Sequence, residues 1–118
     1  MLHRMQADIL QVRGQAIGVL LSEMQSEAEL FASAATLQCV EAELLVMAQT
    51  LAHLAAPLHD RLPTLDWHGW QHLHHLLEHQ LQPRREAVWY GIQALVPATL
   101  ALVAQLRRQE PQWFGNGY

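Results

Sequence analysis

Apolar residues recur every three or four positions along almost the whole chain, and nowhere do they alternate with polar ones in the period of two that marks a half-buried strand. The pattern predicts helices throughout. A first helix is expected over 2–21, with Met5, Ile9, Val12, Ala16, Val19 and Leu20 as its apolar positions. Gly14 and Gly18 lie four apart within it, each costing about 1 kcal/mol against alanine, so another helix is expected to approach closely there. The pattern breaks over 22–25, and Ser26 is placed to cap a short helix whose first turn carries Glu27 and Glu29. A long helix over 35–55 follows, carried by Leu37, Val40, Leu44, Met47, Ala48, Leu51, Leu54 and Ala55 and ended by Pro57.

A turn over 58–62 leads to Pro63, and Asp66 then caps a helix expected over 67–81. Pro83 precedes the last long helix, which reaches Arg108 and should kink at Pro97, where a ring replaces a backbone donor. The expected fold class is all-α, an antiparallel bundle of four to five helices. It forms a single domain over 1–110, followed by a tail over 111–118 with turn chemistry and the aromatics Trp113, Phe114 and Tyr118.

Composition narrows the function classes. The chain has 118 residues, enough for one core, and 51% of them are hydrophobic. No apolar run is read as approaching the ~20 residues that span a bilayer, so no membrane association is expected. The lone Cys39 has no partner within the chain and no basic neighbour in sequence, so it reads as a buried structural thiol in a reducing, cytoplasmic setting. A formal charge of −4 argues against a broad nucleic-acid surface while leaving room for a local basic site. Eight histidines make that charge soft near neutral pH.

Histidine is concentrated in the segment 67–79. At 100° per residue, His68, His72, His75 and His79 fall within roughly 60° of one another on a helix, in a stripe about 16 Å long. Trp70, Leu73, Leu77 and Leu81 take the other side, the expected core face, and His74 stands at their flank. Histidines four apart can share a metal ion, which makes His68, His72, His75 and His79 an alternative metal set. No cysteine completes a structural site, and neither pair has a glutamate directly after its first histidine as in the HExxH zinc-protease motif, so no metal or other cofactor is expected. The remaining readings are a solvated polar face or an interface between subunits.

The spacing of several residues resembles the HepT-like HEPN family, the toxin half of prokaryotic nucleotidyltransferase–HEPN pairs. Its members carry a proline and a tryptophan before a helix with the motif Arg-x4-6-His-x-Tyr, then a further tryptophan and a Leu-Pro or Val-Pro pair. Here Pro63 and Trp67 precede the helix, His79 takes the motif histidine, Trp89 follows and Val96-Pro97 completes the run. Phe31 and the helix around Val40 fit the family's first half more loosely, so the specific likeness covers 62–106. The departures are His74 at the motif arginine, Leu81 at the motif tyrosine, and Ala48-Gln49-Thr50 where the family has Gly-Glu-Ala.

The resemblance implies a homodimer whose paired motifs meet in a cleft and cut RNA without a metal, under control of a nucleotidyltransferase antitoxin partner. It assigns His74 and His79 to catalysis, with Arg84, Arg85 and His75 available to RNA phosphates. A neutral imidazole lacks the permanent bidentate charge of the arginine it replaces, so ribonuclease activity is expected to be weak or lost. Leu81 has no hydroxyl for a partner to modify. The alternative from a different class is a non-catalytic helical binding or scaffold module, with histidine-based metal binding behind it.

Overall fold

The computed structural model describes residues 2–114, and every regular element among them is helical. In chain order these are α1 (Leu2–Leu21), α2 (Glu27–Ala32), α3 (Ala34–Ala52), α4 (Ala56–Asp60), α5 (Trp67–Glu78), α6 (Arg85–Tyr90), a π-helical turn (Gly91–Leu95), α7 (Val96–Gln109) and α8 (Pro111–Phe114). α3 packs against both α1 and α5, while the continuous helix Arg85–Gln109 meets α5 through its first half and α1 through its second. The body measures 47 × 27 × 20 Å. Its least dimension is about two helix diameters, so each main helix keeps an outward face.

Two local signals hold as read. Ser26 accepts a hydrogen bond from the Glu29 amide at 3.1 Å, and the Glu29 carboxylate accepts one from the Gln25 amide at 2.9 Å. Asp66 accepts from the Gly69 amide at 2.8 Å and starts α5. Other boundaries move for identifiable reasons. α3 stops at Ala52, and Pro57, expected to end it, instead sits in the first turn of α4, where its missing N–H costs nothing. α5 stops at Glu78, three residues early, so Leu81, expected on its core side, lies beyond the helix and is exposed. Gln80 has φ 52°, and the Leu81 and Gln80 amides donate to the Leu76 and Leu77 carbonyls. That is the reverse-turn termination usually built on glycine, so glutamine gave no warning of it.

The irregularity expected at Pro97 takes the form of the π turn just before it. The Val96 amide donates to the Gly91 carbonyl, a shift of register that ends where proline has no donor to offer. Pro111 opens α8, so the tail begins with a helical turn against α7 and α1; residues 115–118, including Tyr118, lie outside the described part. The reading that no apolar run is long enough for a membrane needs correction. Arg85–Gln109 is 25 residues, with a mean hydropathy of 1.6 in its most apolar window. Val88, Ile92, Leu95, Val96, Val103 and Leu106 turn one side of it into the core.

The largest departure concerns α1. Its core side is Ala7, Leu10, Gly14 and Ile17, with Gln6 beside them, while Met5, Val12 and Val19 are 58%, 59% and 71% exposed. α1 carries two apolar stripes about 150° apart, and periodicity finds a stripe without saying what it faces. Gly14 meets another helix as expected, since a Cβ there would lie 2.7 Å from Leu100 Cδ2 of α7. Gly18 does not. Nothing stands within 4 Å of the corresponding position.

Buried polar groups complete the packing. Gln6 donates to the His53 carbonyl at 2.9 Å and accepts from the Ala55 amide at 2.8 Å, tying α1 to the link between α3 and α4. Trp70 Nε1 donates to Thr99 Oγ1 at 3.0 Å, and that hydroxyl donates to the Leu95 carbonyl at 2.7 Å. Such pairing avoids the roughly 1–3 kcal/mol cost of an unsatisfied buried group.

Candidate functional site

Asp66 fixes the start of α5, and burial of Trp70, Leu73 and Leu77 against α3 and the π turn fixes its rotation. This rotation leaves His68, His72, His75 and His79 exposed, in agreement with the stripe read from spacing. The His75 and His79 rings touch at 4.9 Å between centroids, edge towards face. Among the described residues no three His, Cys, Asp or Glu side chains gather closely enough to hold a metal ion, and the four histidines form an exposed row.

His74 has a different environment. Its side chain is 18% exposed, and Nε2 lies 3.4 Å from Glu78 Oε2, one turn on. The distance suits an ion pair when the imidazole is protonated, but the geometry is not that of a hydrogen bond, and Nε2 is buried without a hydrogen-bond partner. His74 also lines a cavity of about 180 Å³ with His59, Trp67, Trp70, Ala48 and Leu51. His59 stacks on Trp67 at 4.2 Å and 19°, closing one wall. That volume is below the ~300 Å³ at which ligand pockets usually begin.

The two residues assigned to catalysis are therefore not gathered into one couple within a chain. His74 turns towards the cavity, whereas His79 caps the C-terminal end of α5 beside His75. The arginines assigned to RNA are engaged in pairs. Arg84 grips Glu41 of α3 through Nε at 2.8 Å and Nη2 at 3.2 Å and also donates to the Leu81 carbonyl at 3.1 Å. The hydrogen bond to Glu41 raises the Arg84 pKa further above its ordinary value. Arg85 pairs with Glu27 at 3.0 Å and lays its guanidinium over the Phe31 ring at 4.5 Å. Cys39, expected to be buried, is exposed on the outer side of α3.

A second group went unread in the sequence. The Tyr90 hydroxyl of α6 donates to Asp66 Oδ2 at 2.5 Å, at the edge of an open groove that His68 and His72 also line. This bond, followed by the one from the Gly69 amide, holds the Asp66 carboxyl below its ordinary pKa and pushes the Tyr90 phenol up. The only advance signal was the cap itself, because Tyr90 comes 24 residues later on another helix. Comparison with known proteins finds no matching family model, no similar curated protein and no similar solved structure.

Proposed function

We propose that this chain is a HepT-like HEPN subunit of a toxin–antitoxin-type pair, homodimeric, binding a minimal nucleotidyltransferase partner, with metal-independent ribonuclease activity that is weak or lost. The proposal rests on the run from Pro63, in the turn before α5, and Trp67 through His79, at the C-terminal end of that helix, to Trp89 on α6 and Val96-Pro97 on α7 of an all-helical bundle. One observation carries the loss of activity. His74, in place of the motif arginine, sits half-buried at a cavity beside Glu78 while His79 lies at the exposed end of the helix. Anchoring phosphate and moving a proton near a 2′-hydroxyl require both groups around one reacting centre. Arg84 cannot easily substitute for the missing arginine, because leaving Glu41 would strand a half-buried carboxylate.

The test has two arms. Wild type and His79→Ala are expressed in a bacterial host and compared for growth and for cleavage of single-stranded RNA in EDTA. The neighbouring genes are read for a minimal nucleotidyltransferase, whose absence would leave the second reading, and the chain is co-expressed with that protein and purified through it. Normal growth for both forms and a stable complex are expected. Growth arrest by wild type that His79→Ala relieves would overturn the loss of activity. Failure to form the complex leaves the second reading, a helical binding module, which the separation of His74 from His79 also favours.

A further inference from the structure

The exposed stripe on α1 has a regularity that scattered surface residues lack. Leu2, Met5, Ile9, Val12, Ala16 and Val19 follow one another at spacings of three, four, three, four and three. Alternation of that kind averages 3.5 residues and runs about 26 Å along the helix, which is the seam a second helix fills when side chains interlock. No charged residue interrupts it. The four largest exposures, on Leu2, Met5, Val12 and Val19, leave roughly 400 Å² of apolar surface per chain, a size that marks an interaction site. No other part of the described chain covers them.

The geometry points to a second copy of this chain as the occupant, in a two-fold antiparallel pairing of α1 with α1. The stripe begins at the first residue of the helix and ends two residues before the last, so a copy running the other way covers all of it. Centred between Leu10 and Gln11, that pairing sets Leu2 against Val19, Met5 against Ala16 and Ile9 against Val12. Long side chains then meet short ones in every layer. A parallel pair would instead stack methionine on methionine and alanine on alanine, giving layers of unequal width.

Electrostatics at the flanks allow it. A two-fold axis brings each charge near its own copy, but both charges nearest the seam are neutralised within the chain. Arg13 pairs with Glu43 at 3.2 Å, and Asp8 pairs with Arg107. The partly exposed Ile9 and Ala16 and the stems of flanking residues bring the contact towards the ~500 Å² per partner that a specific interface needs. A lipid surface suits the stripe less well, because helices that lie on membranes carry a basic polar face. Here the whole chain lacks lysine, and of the two arginines on α1, Arg4 and Arg13, the second is already paired.

This inference stands apart from the ribonuclease question but changes where the two-fold lies. α1 packs on α3 and α7, whereas α5 meets α3, α6 and the π turn. A dimer through α1 therefore leaves the histidine row of α5 uncovered and available to a different partner.

Equilibrium sedimentation of the full chain tests the pairing, with Val12→Glu, Val19→Glu and, on the other face, His72→Glu. Wild type and His72→Glu are expected to be dimers at ~10 µM, and each valine variant a monomer with at least 100-fold weaker association. Both valines are exposed, so helical circular dichroism should not change. A monomeric wild type, or a dimer lost in His72→Glu and kept in both valine variants, overturns the inference. So does flotation of the wild type with anionic phosphatidylserine vesicles in place of self-association. Orientation is read from single-cysteine forms in a Cys39→Ser background. Met5→Cys and Ala16→Cys should cross-link to each other and not to themselves; the reverse result overturns the antiparallel pairing.

Discussion

Two glycines four residues apart on one helix should respond oppositely to the same substitution. Gly18→Ala adds a methyl where nothing stands within 4 Å, so only the backbone effect remains, and the fold gains about 1 kcal/mol. With a urea slope of roughly 1–2 kcal/mol/M for a chain of this size, the midpoint rises by about 0.5–1 M. Gly14→Ala has the same intrinsic gain, but its Cβ would sit 2.7 and 3.0 Å from the two Leu100 methyls and 3.0 Å from Leu100 Cγ. Those contacts involve the branch point as well as the tips, so Leu100 has to change rotamer or α7 has to move. Overpacking of this kind costs about 1–3 kcal/mol, so the net result is a loss of up to about 2 kcal/mol. A cycle with Leu100→Ala isolates the clash. In that background Gly14→Ala should lose its penalty, with a coupling of about 1 kcal/mol or more. Protein concentration is held fixed throughout, because association shifts the midpoint. If Gly14→Ala stabilises the protein as much as Gly18→Ala does, the close approach of α1 and α7 is not where the structure puts it.

Thr99→Val keeps the shape of the side chain but removes the acceptor for Trp70 Nε1 in a buried site, so it should destabilise the fold by about 1–3 kcal/mol in urea titration. A change below about 0.5 kcal/mol would mean that the indole finds another partner. Tyr90→Phe should let Asp66 titrate nearer the ordinary carboxylate value, followed through its side-chain carboxyl carbon by NMR. The sign follows from linkage: because the folded pKa of Asp66 is lowered, its contribution to stability is complete above the unfolded value of ~3.9 and is lost as pH falls through the folded value. Tyr90 is the mirror case. Its raised pKa makes its contribution complete below ~10 and lost as pH rises through the folded value. An Asp66 titration identical in wild type and Tyr90→Phe would refute the coupling.

What the sequence determined by itself was whatever depends on neighbours within about one helical turn. Ser26 and Asp66 cap the helices they precede because a cap reaches only three residues. The rotation of α5 was legible because it has a single apolar side, so Trp70, Leu73 and Leu77 could point only inward and the histidine row only outward. Where a helix had two apolar sides, as α1 has, periodicity could not choose between them. The choice fell to packing against α7, with Leu100 lying over Gly14. Long-range contacts were equally hidden, since Arg84 and Glu41 are 43 residues apart and Gln6 and Ala55 are 49 apart. The candidate site shows the same division. Spacing placed four histidines on one face of α5 and His74 at the flank of the other, but only the approach of α3 and α4 enclosed His74 in a cavity with His59. Local rules set which residues share a face; the energy of closing contacts across the bundle decides which faces are buried.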